Sequence, residues 1–304
     1  MLGEIFYWIF NMSIAATICG IPILLIRLVK RIPRRIFIWL WLIPFIRMCI
    51  PVGISSKYGI MALISKFTTK TVAVYEIGDA SAFTMTNYVM GANRYFPITY
   101  KENLLEKLFG IASLLWIIVV LAAILAFAIL YFVTIREIQD ARFMKDNIYL
   151  SDKITMPSVY GMISPKIILP CEYRQNDYDY ILMHENAHIK RGDNCIRIVA
   201  LILVCIHWFN PFAWLFLKLL FSDIELACDE TVLSKCNEAQ KKEYAHTLLS
   251  TVEKTNVFAA AFGGANIRTR IENILSYRKL STISILAFLA LMIAIACMLL
   301  TNAS

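Results

Sequence analysis

The sequence has few charged residues for its length. Only 17% of its 304 residues are charged, whereas 59% are hydrophobic and the mean hydropathy is +0.63. Soluble domains are usually nearer half apolar. This composition excludes an ordinary soluble protein and indicates a membrane protein with a further domain attached.

The sequence also lacks the marks of a disulfide-rich or exported protein. Its eight cysteines are scattered and include no CxxC pair, so a disulfide framework is not expected. The N-terminus opens with MLGEI, which places an acid where a signal peptide carries basic residues. We therefore interpret the first apolar run as a membrane span and not as a signal peptide.

Four apolar stretches are long enough to cross a bilayer, which takes about 20 residues. They are residues 5–26, 36–54, 109–133 and 282–300. The predicted fold is therefore an α-helical membrane protein with four spans. Residues 1–133 would hold three spans, residues 134–281 a separate domain, and residues 282–304 the fourth span with a short extracellular tail.

The first loop predicts the orientation in the membrane. Residues 27–35 contain five basic residues and no acid, namely Arg27, Lys30, Arg31, Arg34 and Arg35. Short loops of this kind stay in the cytoplasm, so the N-terminus and the loop 55–108 would be extracellular and residues 134–281 cytoplasmic. Much of the net charge of +8 lies in this loop, so we do not expect direct binding of nucleic acid.

Two of the four histidines carry the predicted chemistry. His184 and His188 are four residues apart in a helical pattern, within the run HENAH, and therefore share one helix face. This is the spacing with which HExxH helices bind zinc, and Glu185 is placed to take a proton from a zinc-bound water. The alternative is a surface helix with two solvated imidazoles. His207 lies in an apolar run and is expected to be a buried or interfacial histidine and not a ligand.

A catalytic zinc site needs a third protein ligand and an open position. The extended motif HExxHxxGxxH is excluded, because Arg191 and Asn194 occupy its glycine and third-histidine positions. The run IELACDE offers Glu225 as the third ligand and Asp229, one turn later, as an acceptor for the other ring nitrogen of a ligand histidine. Spacing alone leaves open an ordinary solvated acidic helix. The rival carboxylates are Asp223 and Glu230.

The apolar run 196–221 decides whether these residues can meet. If it crossed the bilayer once, Glu225 and His188 would lie on opposite sides of the membrane. The Asn210-Pro211 pair is a natural break, and the part before it would extend only about 21 Å as a helix. We therefore predict a membrane-associated helical hairpin that returns to the cytoplasmic side.

Residues 147–170 have short β-branched runs that are broken by prolines and a glycine, which predicts a small sheet or hairpin. Pro157 and Pro165 favour an edge strand over a central one. Such a strand is either purely structural or pairs with an extended substrate peptide. Spacing alone favours the structural interpretation.

The order of these motifs resembles one family. A segment ending in GMISPKIILP is followed by HENAHIKRGD, HWFNPFAW, ELACDE and AAFGGANIRTRIENIL before the last apolar stretch. Over most of the chain, this resembles the beta-lactam sensor-transducer membrane metallopeptidases of the BlaR/MecR type. The resemblance implies a cytoplasmic α+β gluzincin-type zinc metallopeptidase domain in a bacterial plasma-membrane protein, with one zinc ion per chain.

The resemblance also implies roles for particular residues. Those carried over are the zinc ligands His184, His188 and Glu225, the catalytic base Glu185, and Asp229 as the aspartate that follows the third ligand. It further favours the substrate-strand interpretation, with Ile167, Ile168 and Leu169 as the substrate-binding residues.

The implied function is a zinc metalloendopeptidase in signal transduction and antibiotic-resistance regulation. It would hydrolyse a cytoplasmic protein, in this family a transcriptional repressor, or itself. The family's antibiotic sensors carry a penicillin-binding domain after the last span, whereas this sequence stops at Ser304. We therefore expect a form without that sensor, whose partners besides the lipid bilayer are a separate sensor protein or a second copy of the chain.

Two other classes of function stay open at this point. The first is a non-catalytic membrane signal transducer with a structural or sensing zinc site. The second is a channel or transporter, for which Arg47 within the second apolar stretch is the only charge in favour.

Overall fold

The computed structural model describes residues 2–29, 32–50, 104–171, 178–252, 266–277 and 282–300. The helices are α1 (Leu2–Arg27), α2 (Arg34–Cys49), α3 (Leu104–Glu137), α4 (Tyr178–Arg191), α5 (Asp193–Ile206), α6 (Pro211–Leu233), α7 (Glu238–Val252), α8 (Ile267–Ser276) and α9 (Thr282–Leu300). The strands are β1 (Arg142–Lys145), β2 (Ile148–Ser151), β3 (Ser158–Tyr160) and β4 (Lys166–Pro170). Most of the predicted loop 55–108, the centre of the basic loop and the predicted tail lie outside the described residues.

Two of the described helices are long and apolar enough to cross a membrane. They are α1 and the segment Leu108–Arg136 of α3, which correspond to the first and third predicted spans. Most of α3 exposes apolar side chains, as expected of a helix whose surroundings are lipid. α2 has 16 residues, and the apolar part of α9, Leu286–Leu300, is also shorter than a span. The second and fourth spans therefore stay predictions.

The predicted small sheet is present, with the strand order β1-β2-β4-β3. β4 pairs in parallel with β2 on one side and antiparallel with β3 on the other. Ile167 and Ile168 have paired strands on both sides, Leu169 pairs with Leu150 of β2, and all three side chains are at most 1% exposed. β4 is therefore an inner strand and not an edge strand, and the substrate-binding role of these residues stays a prediction. Pro157 and Pro165 suggested an edge, but each only precedes a strand, where no ladder hydrogen bond is required of it.

The sheet is attached to the helical part of the chain at two places. Ile167 and Leu169 of β4 pack against Ile181 of α4 in a small hydrophobic cluster. On the outer side of β3, the side-chain amide of Asn194 donates hydrogen bonds to the carbonyl oxygens of Val159 and Gly161, at 3.0 and 3.2 Å. The sheet therefore lies beside the junction of α4 and α5.

α6 runs alongside α1, and the contacts between them advance in the same direction along both helices. Near the start of α6, the amide of Asn210 donates to Ser13 Oγ at 2.7 Å. Further along both helices, Asp223 accepts a hydrogen bond from Nε of Arg27 at 2.9 Å. The two helices are therefore parallel neighbours, and their buried side chains join those of α2 in the largest hydrophobic core of the described residues.

A short connection of four residues joins α5 to α6. Asn210 caps α6 by accepting the backbone N–H of the residue two positions later, and Pro211 occupies the first turn, where a helix does not need that N–H. His207 is buried in this connection, with Nε2 3.2 Å from the carbonyl oxygen of Met48. After this break the chain returns toward α4, so the two halves of the run 196–221 form a helical hairpin.

Candidate metal centre

α4 supplies both histidines of the HENAH run. His184 and His188 are buried, and their Nε2 atoms lie 3.2 Å apart. α4 ends at Arg191, and Gly192 follows with a φ of +70°, a conformation that favours glycine because it has no Cβ. This turn brings Asp193 back against the helix that it has just left.

α6 brings Glu225 to the same two nitrogens. Its Oε2 atom lies 3.5 Å from Nε2 of His184, and its Oε1 atom lies 3.6 Å from Nε2 of His188. We refer to these three residues as the metal triangle. Tetrahedral zinc, with ligands at about 2.0–2.1 Å, holds neighbouring ligand atoms roughly 3.3–3.4 Å apart. The observed separations match this spacing closely, so the residues fit a zinc-sized ion.

A carboxylate stands behind each imidazole. Nδ1 of His188 lies 2.6 Å from Oδ2 of Asp193. Nδ1 of His184 lies 3.2 Å from Oδ1 of Asp229 and 3.0 Å from the hydroxyl oxygen of Tyr244. An acceptor at Nδ1 keeps the proton on that nitrogen, and Nε2 then presents its lone pair. Both histidines are therefore oriented to bind a metal through Nε2.

Asp229 is the centre of a buried hydrogen-bond network. The hydroxyl of Tyr244 donates to Oδ1 at 2.6 Å, and Arg270 of α8 donates from Nη2 to Oδ1 at 2.7 Å and from Nε to Oδ2 at 2.8 Å. Although burial opposes its ionisation, Arg270 lowers the pKa of Asp229 to about 2. Burial, together with the charge of Asp229, raises the pKa of the Tyr244 phenol well above its usual range, so the phenol stays protonated.

The metal triangle favours positive charge. Although burial disfavours a charged imidazole, hydrogen bonds to Asp229 and Glu225 raise the pKa of His184 to about 9. Burial opposes the charge of Glu225 as well, but His188 and Arg197 are among the groups that hold its pKa well below the usual range. A bound metal ion would take the place of the proton that these carboxylates stabilise.

Cys228 is a second candidate for the third metal ligand beside the same two histidines. Single ligand atoms of His184, His188 and Cys228 all lie within 4.8 Å of one another. The sulfur of Cys228, however, lies 3.3 Å from Nδ1 of His188, the nitrogen that Asp193 already holds. Burial also raises the pKa of the Cys228 thiol well above its usual range, and metals bind the thiolate. The donor chemistry therefore favours Glu225 over Cys228 as the third ligand.

Glu185 differs from the other acids of the site. It is 8% exposed, and within the described part of the chain its carboxylate has no hydrogen bond or ion pair. Asp193 and Asp229, in contrast, each pair with an arginine. A carboxylate without a competing donor is available to accept a proton from a bound water.

The two rivals for the third ligand face away from the metal triangle. Asp223 binds Arg27 at the end of α1, and Glu230 accepts the backbone N–H of Arg34 at the start of α2. Both acids therefore lie on a different face of α6 from Glu225.

Three residues of the site were not predicted in the roles that their contacts give them. Asp193 follows a glycine that ends a helix, in HIKRGD, and this signal could have indicated a turn that returns the acid to His188. Tyr244 and Arg270 come from α7 and α8, and no spacing relates them to the HENAH run. The positions of Arg191 and Asn194 are explained by structure: the first binds Asp193, and the second binds β3.

A comparison with known proteins gives a family match that includes every residue of the metal centre. The family model described as BlaR1 peptidase M56 matches residues 7–274. The chain is 29% identical over 141 residues to the regulatory protein BlaR1 of Bacillus licheniformis, covering 43% of this chain and 24% of that protein. It is 28% identical over 149 residues to the methicillin resistance mecR1 protein of Staphylococcus aureus, covering 45% of this chain and 26% of that protein. The match therefore spans about a quarter of the length of these relatives.

Proposed function

Because the chain belongs to the BlaR1 peptidase M56 family, we propose that it is a membrane-embedded zinc metalloendopeptidase in bacterial signal transduction. Its substrate would be a cytoplasmic protein, a transcriptional repressor, or the chain itself. Its relatives include a regulatory protein and a methicillin resistance protein, and this supports a role in regulating antibiotic resistance.

The metal triangle is the observation that carries this proposal. Structural zinc sites are closed by four protein ligands, whereas catalytic sites have three and keep one position open. Among the described residues, His184, His188 and Glu225 converge at separations that suit zinc, and Cys228 beside the same histidines is the less suitable donor. When bound there, zinc would supply Lewis acidity, which lowers the pKa of a water toward 7 and polarises a carbonyl.

The protein's own groups divide the remaining chemistry. Glu185 would accept the proton of the attacking water and transfer it to the leaving amine. Asp193 and Asp229 would hold the two imidazoles in their metal-binding orientation. Arg270 has Nη1 3.7 Å from Oε2 of Glu225, so its positive charge lies directly beside the metal triangle.

The proposed arrangement in the membrane follows from the helices. α1 and α3 would span the bilayer, and the hairpin of α5 and α6 would enter it beside α1 without crossing. The contact of Asn210 with Ser13, midway along α1, supports this depth. The return of α6 keeps Glu225 on the same side as α4, which the proposal places in the cytoplasm together with the basic loop 27–35.

An inventory of new protein termini in cells tests the proposed reaction. Cells that produce the wild type would be compared by mass spectrometry with cells that produce Glu185→Ala. Glu238→Ala is the matched control, because this glutamate has a side chain that is 89% exposed. We expect termini that are present in the wild type and the control but missing in Glu185→Ala, and these would identify the substrates.

The same variants separate the two candidate roles of the zinc site. Glu185 is not a ligand in the proposal, so Glu185→Ala should keep the zinc content of the wild type. If this variant binds zinc and still transmits the signal with an unchanged set of termini, the protein is a non-catalytic transducer with a structural or sensing zinc site.

A further inference from the structure

α6 carries a second pair of buried acids, Asp223 and Glu230, besides those of the metal centre. They are separated by nearly two helical turns, so both point to the same side of α6. Both are buried, and a buried carboxylate is costly unless it is paired and hydrogen-bonded. Their partners therefore indicate what this face of α6 is for.

Asp223 is bound by both of the first two helices. Arg27, the last residue of α1, donates from Nε to Oδ2 at 2.9 Å and from Nη2 to Oδ1 at 3.0 Å. Trp41 of α2 donates its indole N–H to Oδ2 at 2.8 Å. A further guanidinium, that of Arg34, lies 3.8 Å from Oδ1. Asp223 thus joins the end of α1 to α2 through a single buried carboxylate.

Glu230 caps the start of α2. Pro33 stands at the N-cap position of α2 and makes no side-chain cap. The carboxylate of Glu230 instead accepts the backbone N–H groups of Arg34 at 2.9 Å and of Arg35 at 3.4 Å. A negative charge is favourable at this end of a helix. Arg35 also donates from Nη2 to the carbonyl oxygen of Glu230 at 2.5 Å. We refer to Arg27, Arg34, Arg35, Trp41, Asp223 and Glu230 as the clasp.

The clasp adjoins the metal centre on the same helix. Asp223 precedes Glu225 by two residues, and Glu230 directly follows Asp229. A slip of α6 by one residue would move Glu225 by about 1.5 Å, whereas metal–ligand distances hold within about 0.2 Å. The histidines come from α4, so the metal triangle forms only if α6 keeps the correct position along its axis relative to α4.

We propose that Asp223 and Glu230 are positioning residues that fix α6 to the adjoining ends of α1 and α2, so that the position of these ends sets the geometry of the metal triangle. A rearrangement of α1 and α2 would then change zinc binding and catalysis through α6. This inference rests on the proposed zinc site and adds what controls it.

Zinc affinity of the purified full-length chain in detergent micelles tests the clasp. Competition with a chromogenic chelator would be measured for the wild type, Asp223→Asn, Arg27→Gln and the double variant. Each single substitution should lower the zinc affinity by about tenfold. The double variant should bind zinc no more weakly than the weaker-binding single variant, because both substitutions remove the same contact. Arg27→Lys keeps the charge and should restore most of the affinity.

Asn210→Ala is the matched control for simple loss of stability. It removes contacts between α6 and α1 at the opposite end of α6 and leaves the clasp intact. We expect it to lower the melting temperature while zinc affinity stays at the wild-type value. If the clasp only stabilised the fold, zinc affinity would fall together with the melting temperature in every variant, including Asn210→Ala.

The outcomes separate this inference from the proposed function. If Asp223→Asn and Arg27→Gln bind zinc as tightly as the wild type, the clasp does not position the metal triangle. Loss of zinc binding in His184→Ala would in that case still support the zinc site. A wild type that binds no zinc would overturn both proposals. Glu230→Gln, at the other end of the clasp, gives the same test if Asp223→Asn does not fold.

Discussion

Replacing Asp193 by alanine removes the acceptor that holds the Nδ1 proton of His188. The two atoms are 2.6 Å apart, and Asp193 is fully buried, so bulk water does not replace the carboxylate. Carboxylates behind ligand histidines are worth about 10–100-fold in metal affinity, or roughly 1.4–2.7 kcal/mol. We expect the zinc affinity of Asp193→Ala to fall by about this factor.

The same substitution also breaks a buried ion pair. Arg191 donates from Nε and Nη2 to Asp193 at 2.6 and 2.5 Å. Removing one partner of a buried pair costs about 3–5 kcal/mol. The loss should be smaller here, because the Arg191 side chain is 17% exposed and keeps its hydrogen bond to the carbonyl oxygen of Ile224. The melting temperature should therefore fall even in the absence of zinc.

Chelator competition and thermal melting, with and without a chelator, measure the two effects separately. Asp193→Asn should lie between the wild type and Asp193→Ala, because its amide oxygen still accepts the Nδ1 proton but carries no charge. Asp179→Ala changes an exposed acid at the start of the same helix and should leave both quantities unchanged. If Asp193→Ala binds zinc as tightly as the wild type while His188→Ala does not bind it, Asp193 does not orient His188 for the metal.

Four further predictions concern the metal centre and the hydrophobic core. Tyr244→Phe should lower zinc affinity less than the aspartate substitution, because Oδ1 of Asp229 still lies 3.2 Å from Nδ1 of His184; an equal loss in chelator competition would contradict this. Zinc affinity should rise about tenfold per pH unit up to about pH 9, since the metal must displace the proton that His184 holds with a pKa of about 9. A zinc affinity that does not change with pH would contradict this competition between metal and proton. Without metal, the raised pKa of His184 stabilises the fold fully below its ordinary value of 6.5, and this contribution is lost as the pH rises through about 9. In the presence of a chelator, the melting temperature should therefore fall as the pH rises toward 9. Gly20→Ala should destabilise the protein by about 1–3 kcal/mol, because a Cβ there would lie 2.0 Å from Cζ of Phe216; thermal melting should show recovery when Phe216→Leu is added, and no recovery would argue against this steric cause.

The sequence was sufficient to place His184, Glu185 and His188 together on one helix. Their relation is local, because a helix puts residues four positions apart on one face whatever surrounds it. The same periodicity places Glu225 and Asp229 on one face of α6. The prediction of a break at the Asn-Pro pair also rested on local chemistry, and the structure begins α6 there.

Local periodicity did not decide which acid of α6 meets the histidines. Asp223, Glu225, Asp229 and Glu230 lie within eight residues of one another, and all four have polar partners in the structure. Their roles differ because one side of α6 packs against α4 and α8, whereas another packs against α1 and α2. That division arises only when segments far apart in the chain come together.

The strand order of the sheet and the contact of Arg270 with Asp229 also depend on segments that are far apart in the chain. β4 lies between β2 and β3 because β2 and β4 pair in parallel across an intervening segment, and strand composition does not encode that order. Arg270 reaches Asp229 from a helix with no spacing relation to the HENAH run. Interactions between neighbouring residues fix the helices and the polar or apolar character of each helix face, so both can be predicted from the sequence. Which faces meet depends on burial and ion pairing between distant segments, so this becomes visible only in the folded chain.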